Sequence, residues 1–460
     1  MKREPEDIFC IRILNKYLIY APLQRISALL NRTAARALRD GLYGAATLDG
    51  ELGELCFALR EEGEAKPTLR SEELTDPMFL GLIPTRGCNM DCQYCDFAAP
   101  KQGCPQMSLE LAREAIDAYI QLLHAVRKTR LEVHFFGGEP FYAWETVFFA
   151  VEYARLQAAQ QGLETHFEVI TNGIFNKKLA RWAAGHFDTV VLSLDGFADI
   201  QEKQRPAFNR RPTYPTILRN ARILADGEAE LALRACITRD NVEQMAGYAT
   251  WVAENLHPSS VCFETMGESS LSRQNGLEVA DAYQFVKNFQ AAKKILEKQG
   301  IQVILSTDAS MELQSSFCPV GKDALIVSPD GSVDACYWLK ENWQDNGLDL
   351  HLGQISNQGV LLEPGALQRA REATLIHKDA CQNCLCQYIC AGGCHVRRAG
   401  AQMGRRNGEV CFQTRSIIML RLLHELGQDE LAEDWLHNQA AVERMVYAAS
   451  DRLESLEELA

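Results

Sequence analysis

Residues 88–95, CNMDCQYC, set three thiols in a C-x3-C-x2-C spacing directly behind an apolar run at 79–85. Three thiolates cannot complete the four-ligand shell of a structural zinc or four-iron site, so one coordination position is left for a substrate or cofactor. The chain carries 16 cysteines. Its first residues, MKREPED, are charged where a signal peptide needs an apolar core, and no stretch approaches the ~20 apolar residues of a spanning helix. The expectation is a cytoplasmic protein without membrane contact, whose thiols stay reduced and serve as metal ligands rather than disulfides. Ten cysteines fall into patterned groups: Cys88, Cys92 and Cys95; Cys318 and Cys336; Cys381, Cys384, Cys390 and Cys394; and Cys411. Cys10, Cys56, Cys104, Cys236, Cys262 and Cys386 read as small buried hydrophobes.

Hydrophobic periodicity places the thiols in a fold. Strand-like runs at 79–85, 131–136, 166–171, 189–195, 231–237 and 261–265 alternate with helical patterns. One of these opens at Ser108, an N-cap, with Leu111, Ala115, Ile116, Tyr119 and Leu122 along one stripe. Six such units in series predict an α/β fold of parallel strands covered by helices, as an open sheet or a full or partial barrel. Ligands of such folds gather at the carboxyl ends of the strands. The three-thiol loop follows the first strand, at that end. At 460 residues with 47% hydrophobic content, the chain is too long for one small core. A formal charge of −14 excludes a broad phosphate-binding surface, so nucleic acid is not an expected partner.

The Cys88, Cys92 and Cys95 spacing, with Tyr94 just before the last thiol, resembles the signature of the radical S-adenosylmethionine (SAM) superfamily. That resemblance implies a four-iron, four-sulfur cluster whose open iron takes the amino and carboxylate groups of SAM; one electron then cleaves the cofactor to methionine and a 5'-deoxyadenosyl radical, which abstracts a hydrogen atom. Further motifs at strand ends match. Gly137, Gly138, Glu139 and Pro140 look like the glycine-rich turn that receives the cofactor's amino group, since glycine permits close backbone approach and a carboxylate suits an ammonium. Thr171 and Asn172 end the third strand, and Ser193 and Asp195 the fourth, similar to residues that line the cofactor in relatives.

The later cysteines resemble the SPASM extension of peptide-modifying members. The resemblance implies two auxiliary four-iron clusters, one on Cys318, Cys336 and Cys394, the other on Cys381, Cys384, Cys390 and Cys411, making three clusters in all. Relatives with a fully ligated first auxiliary cluster carry another cysteine shortly before the position of Cys318; here there is none, and Cys386, Cys262 and Glu312 are the open alternatives for closing it. Tyr337 follows Cys336 where sulfatase-maturing relatives place an aspartate base, which makes it the one candidate for a catalytic side chain.

Residues 16–31 read as two apolar strands around a turn at Pro22, followed by a helix from Asn31 and another carrying Leu52, Leu55 and Leu59. This is similar to the winged-helix element that captures leader peptides along a strand edge; a hairpin that merely caps the barrel is the alternative. The combined expectation is a partial (β/α)6 barrel at 76–300, a SPASM region at 301–425, a small α+β domain at 1–75 and a helical segment at 426–460. The implied function is a radical SAM peptide maturase that crosslinks side chains of a ribosomally made precursor bearing a leader, with flavodoxin or ferredoxin as electron donor. A sulfatase-maturing or other protein-oxidising enzyme is the second reading, and a nonenzymatic iron-sulfur or zinc scaffold the third.

Overall fold

The structure is a computed structural model that describes residues 7–68, 74–95, 97, 104–308, 311–318, 320, 323–374, 381, 383–396 and 408–448. Seven strands lie side by side in chain order, each parallel to the next: β4 (Leu80–Leu82), β5 (Arg130–Phe135), β6 (Glu164–Thr171), β7 (Thr189–Ser193), β8 (Glu230–Ile237), β9 (Ser260–Thr265) and β10 (Gln302–Ile304). To number strands in chain order, β1 to β3 are kept for the N-terminal domain described below. The six predicted β/α units are all present. The seventh strand, β10, was not anticipated, because three residues show no readable alternation, and it lies past position 300 although it belongs to the barrel sheet.

Helices cover one face. Along β5, Leu131, Val133 and Phe135 are buried in the common core while Glu132 and His134 point the other way, as the period of two requires. β8 repeats the pattern, with Leu231, Leu233 and Ala235 in the core and Ala232, Arg234 and Cys236 opposite. Parallel sheets buried on both faces read as continuous apolar runs. Here the second face carries Glu132, His134, Glu168, Arg234 and Glu264 among apolar residues such as Ile170 and Val191, which marks it as the lining of a lumen. The helix Leu109–Ala125 is capped by Ser108, whose side chain accepts from Leu111 N, and buries Ala115, Ile116 and Tyr119 as the stripe predicts.

On the other side of β4 the sheet continues through β11 (Leu325–Val327), parallel to β4, and then antiparallel β12 (Ser332–Asp334), β13 (His351–Ser356) and β14 (Gly359–Leu362). The cysteine-rich region is thus hydrogen-bonded to the barrel through its first strand. Asp323 and Arg371, 1% and 2% exposed, form a bidentate ion pair that fixes the approach to β11. No helix among the described residues is long and apolar enough to cross a membrane.

The N-terminal domain is a separate antiparallel sheet of β1 (Phe9–Ile13), β2 (Lys16–Ala21) and β3 (Ile26–Leu30). Pro22 does turn the chain between β2 and β3; β1 is a third strand that the pattern did not reveal. Asn31 caps the helix Arg32–Leu42 by accepting from Ala34 N, and the helix Gly50–Arg60 packs beside it with Leu59 buried. The domain rests on the auxiliary region. Asp7, 2% exposed, accepts from the Tyr388 hydroxyl at 2.6 Å and from Gln387 at 3.1 Å. Arg25 meets Glu312 at 3.1 Å.

Candidate active site

The thiol loop and the glycine turn are laced together at the carboxyl ends of β4 and β5. Gly138 N donates to Thr85 O at 3.1 Å and Glu139 N to Gly87 O at 2.9 Å. A Cβ on Gly138 would lie 2.2 Å from Gly87 O and 2.4 Å from Arg86 O, and Gly137 has φ +142° with Thr85 O at 2.6 Å from its would-be Cβ. Glycine is required here because two backbones touch. Glu139 is 1% exposed and braces the next strand end: it accepts from the Thr171 hydroxyl at 2.7 Å, Asn172 N at 2.7 Å and Phe141 N at 3.2 Å. Burial pushes its carboxyl up to about 7, against the pull of those donors.

Asn172 carries the brace on to the thiols. Its Nδ2 donates to Cys88 Sγ at 3.5 Å and to Asn89 Oδ1 at 2.8 Å, and Met90 N donates to the same sulfur at 3.4 Å. Burial pushes the Cys88 thiol up to about 12, with Glu139 and Cys95 adding to the effect. Cys92 is also raised by burial, while Arg205 pulls the other way and Cys95 and Cys88 reinforce the rise. Thiols this reluctant to ionise are converted to thiolates by metal binding, which releases their protons. N–H donors aimed at sulfur are the hydrogen bonds that orient and tune iron-sulfur ligands, so the donor set fits a cluster.

Asp195, 2% exposed, is the hub at the end of β7. One oxygen accepts from the Tyr94 hydroxyl at 2.5 Å and Gln204 Nε2 at 2.9 Å; the other accepts from Cys236 N at 3.0 Å and faces Arg205 Nε at 3.1 Å. Arg205 also sits over the Tyr94 ring, 5.4 Å from its centroid. Ser193 ends β7 and is buried. Arg205 is a site residue that sequence reasoning missed. Gln201, Gln204 and Arg205 have helical spacing on and just past the helix Ala198–Gln204, and that spacing was the available signal: all three turn toward Asp195, Gln201 by accepting from its backbone N at 2.8 Å.

Electrostatic influence links most of the later thiols in two sets. Cys336 is pushed up by burial, with Cys318 and then Cys394 among its charged neighbours, so these three share one locale. Cys384 is drawn down to about 5, first by the Cys386 thiol that hydrogen-bonds to it and then, against burial, by Arg415, whose Nε lies 3.4 Å from its sulfur. Cys390 bears on Cys386, and Cys411 on Arg415. Of the three alternatives for closing the first auxiliary set, Cys386 lies among the second, Cys262 donates to Glu264 in the lumen at 3.4 Å, and Glu312 pairs with Arg25. Cys10 and Cys56 are buried as expected, while Cys104, Cys236 and Cys262 are only partly so. Among the described residues no three His, Cys, Asp or Glu side chains converge closely enough to hold a single metal ion; a four-iron cube spreads its ligands over its corners and does not require that.

Tyr337 lies over the lumen face of β4. Its ring is edge-on to Phe136 at 4.9 Å, its hydroxyl is buried without a partner among the described residues, and its carbonyl accepts from Arg86 at 2.9 Å. Burial holds the phenol well above its usual range, with the Glu168 and Cys336 charges adding to it. It is therefore a neutral donor at physiological pH, and no proton acceptor.

Residues 82–245 match the Radical SAM superfamily. A serine-type anaerobic sulfatase-maturating enzyme of Klebsiella aerogenes is 24% identical over 339 residues, covering 68% of this chain and 78% of the relative. Among solved structures, native anSMEcpe with bound AdoMet superposes with TM-score 0.58 at 18% identity, over 75% of this chain and 98% of that one. Streptococcus suis SuiB bound to precursor peptide SuiA gives 0.50 at 15% identity, over 86% and 96%. The thiol loop and the glycine turn both lie within residues 82–245, so this chain carries a radical SAM domain and is similar to SPASM-type maturases.

Proposed function

We propose that this chain modifies a ribosomally made precursor peptide, abstracting a hydrogen atom and installing a side-chain crosslink, thioether or carbon–carbon. The observation that carries the peptide reading is β3, whose residues Ile26–Leu30 are all partly exposed and which among the described residues pairs on one side only, with β2. An extended leader adds to such an edge, and the domain's contacts through Asp7 and Arg25 hold that edge against the auxiliary region. Cys88, Cys92 and Cys95 would hold the cluster that SAM binds. When bound, SAM supplies the hydrogen-abstracting radical. Gly137 and Gly138 would offer backbone to its amino group within the turn that Pro140 closes, while Thr171, Asn172, Ser193, Asp195 and Tyr94 would line it. Cys318, Cys336 and Cys394, and Cys381, Cys384, Cys390 and Cys411, would hold the auxiliary clusters.

Similarity to the sulfatase-maturating enzyme favours a second reading, oxidation of a protein side chain. Tyr337 favours the first. A neutral phenol beside Cys336 cannot take the proton that such an oxidation releases, whereas it can orient a substrate by donating a hydrogen bond. Both reactions remove two hydrogens, so mass alone does not discriminate. The test is to treat candidate leader-bearing precursor peptides with the anaerobically reconstituted enzyme. A crosslink gives a product that is inert to an aldehyde-trapping hydrazide and yields few backbone fragments between the joined residues. Hydrazide capture with complete fragmentation establishes oxidation instead, and saturation near four irons per chain with full activity removes the auxiliary clusters from the reading.

A further inference from the structure

The chain is acidic overall, yet two neighbouring helices on the outside of the barrel contain no Asp or Glu. Lys177–His186 carries Lys177, Lys178 and Arg181, and Tyr214–Ala225 carries Arg219 and Arg222. The two pack side by side around a groove lined by Lys177, Arg181, Arg219 and Arg222 over an apolar floor of Pro215, Leu218 and Ile223. Lys177, Lys178, Arg181 and Arg222 are exposed.

An aromatic patch adjoins this groove. Tyr142, Trp144 and Phe148 are 51%, 49% and 43% exposed, unusual for large rings clustered on one helix start. Phe148 lies 6.3 Å from Trp144 and 5.5 Å from Trp182, the neighbour of Arg181 on the basic helix. Aromatic rings beside arginine are what interface cores are enriched in.

Both parts lead back to the first thiol. The Tyr142 ring comes within 3.2 Å of the would-be Cβ of Gly87, next to Cys88. Ile174 O accepts from Asn89 Nδ2 at 2.9 Å and Phe175 O accepts from Arg219 Nη2 at 2.9 Å, and Lys177 follows two residues later, within ~7 Å of chain.

We propose that this surface docks a small acidic one-electron carrier protein. The inference rests on the radical SAM reading, because a cluster on Cys88, Cys92 and Cys95 must receive an electron from outside. One electron leaves the reduced carrier, which is oxidised by one equivalent, and the cluster is reduced by one; no atom is transferred. Charge selects this occupant. An acidic carrier is repelled by the net charge of −14 and attracted by a basic face, which steers it to a surface that leads back to the thiol loop. Redox encounters use small, transient interfaces of under about 1,200 Å², which a groove between two helices and three rings can supply.

The experiment uses the reconstituted holoenzyme, with reduced flavodoxin as the carrier and dithionite as a small reductant that needs no docking. Surface plasmon resonance measures flavodoxin binding, and deoxyadenosine release measures electron delivery. Charge reversal in K177E/R181E/R222E is expected to weaken flavodoxin binding at least tenfold at low salt, to flatten its salt dependence, and to slow flavodoxin-driven release while leaving dithionite-driven release unchanged. W144S/F148S is expected to weaken binding at all salt concentrations. Unchanged binding in both variants overturns the proposal. So does a wild-type dimer that the same variants convert to monomer without loss of flavodoxin binding. If dithionite yields no deoxyadenosine from the wild type, the radical SAM reading fails instead, and the two failures are distinguishable.

Discussion

Replacing Asp195 with Asn tests whether the strand-end hub holds the active site together. Its side chain is 0% exposed and Arg205 is 13% exposed, so D195N leaves a buried guanidinium without its counter-charge. Removing one partner of a buried pair costs about 3–5 kcal/mol. The amide is also wrong for the site. The Asp195 oxygen that accepts from both Tyr94 and Gln204 would become an NH2 facing two donors, or the flipped amide would face Cys236 N and Arg205. For a domain of this size each kcal/mol moves the melting temperature roughly 2–4 °C, so the expected drop is roughly 6–20 °C, read by differential scanning fluorimetry on anaerobic holoprotein. R205M should fall comparably, and the double variant D195N/R205M should lose less than the sum of the two, because the first change has already broken the pair. A D195N melt within about 2 °C of wild type, or strict additivity in the double variant, would refute the hub.

Three further outcomes are expected. G138A forces a methyl into the Gly87 and Arg86 carbonyls, which are backbone and cannot rotate away, so it should cost about 1–3 kcal/mol or more and weaken SAM binding by isothermal titration, whereas unchanged SAM affinity would show that the contact is not tight. Glu139 releases its proton near 4.5 when unfolded and at about 7 when folded, so the native state holds the proton more tightly and stability should fall as pH rises from about 4.5 to about 7, then level off; the pH slopes of the melting temperature of wild type and E139Q should differ inside that window and coincide outside it, and identical slopes within it would contradict the burial effect. A chain beginning at residue 76 should still cleave SAM with dithionite, since every proposed contact lies past residue 87, but should lose leader-peptide binding by fluorescence anisotropy; retained binding would make the N-terminal sheet a cap and nothing more.

The barrel was legible because its inward and outward residues alternate over five to eight positions in β5 to β9, long enough for a period of two to show. Strands of three residues have no such signature, so β10, β11 and β12 came into view only through their pairing. β1 was hidden differently: Phe9, Cys10 and Ile11 are all buried, because one face packs on the N-terminal helices and the other on the main core, which erases the alternation. At the site, motifs found the residues whose identity is dictated by backbone, such as Gly137 and Gly138. They did not find Arg205, whose importance comes from a tertiary contact with a carboxylate on a different element.

The charged groups on the inner face of the sheet tie fold to function. Glu132 and His134 pair at 2.9 Å, Glu168 stands 3.8 Å from the other ring nitrogen, and Glu264 accepts from Ser306 N at 3.0 Å. Charges on the inside of a parallel barrel cost desolvation that aliphatic side chains would avoid. A chain selected for stability alone would fill the space with Val and Ile, as its outer face does. The Tyr337 hydroxyl sharpens the point, because a buried donor without a partner costs about 1–3 kcal/mol and Phe in its place would remove that cost. Such groups persist where a bound molecule satisfies them. Tyr337 is influenced by Glu168 and lies one residue from Cys336, so on the proposed reading an acceptor for its hydrogen bond would sit between the barrel and the Cys336 locale.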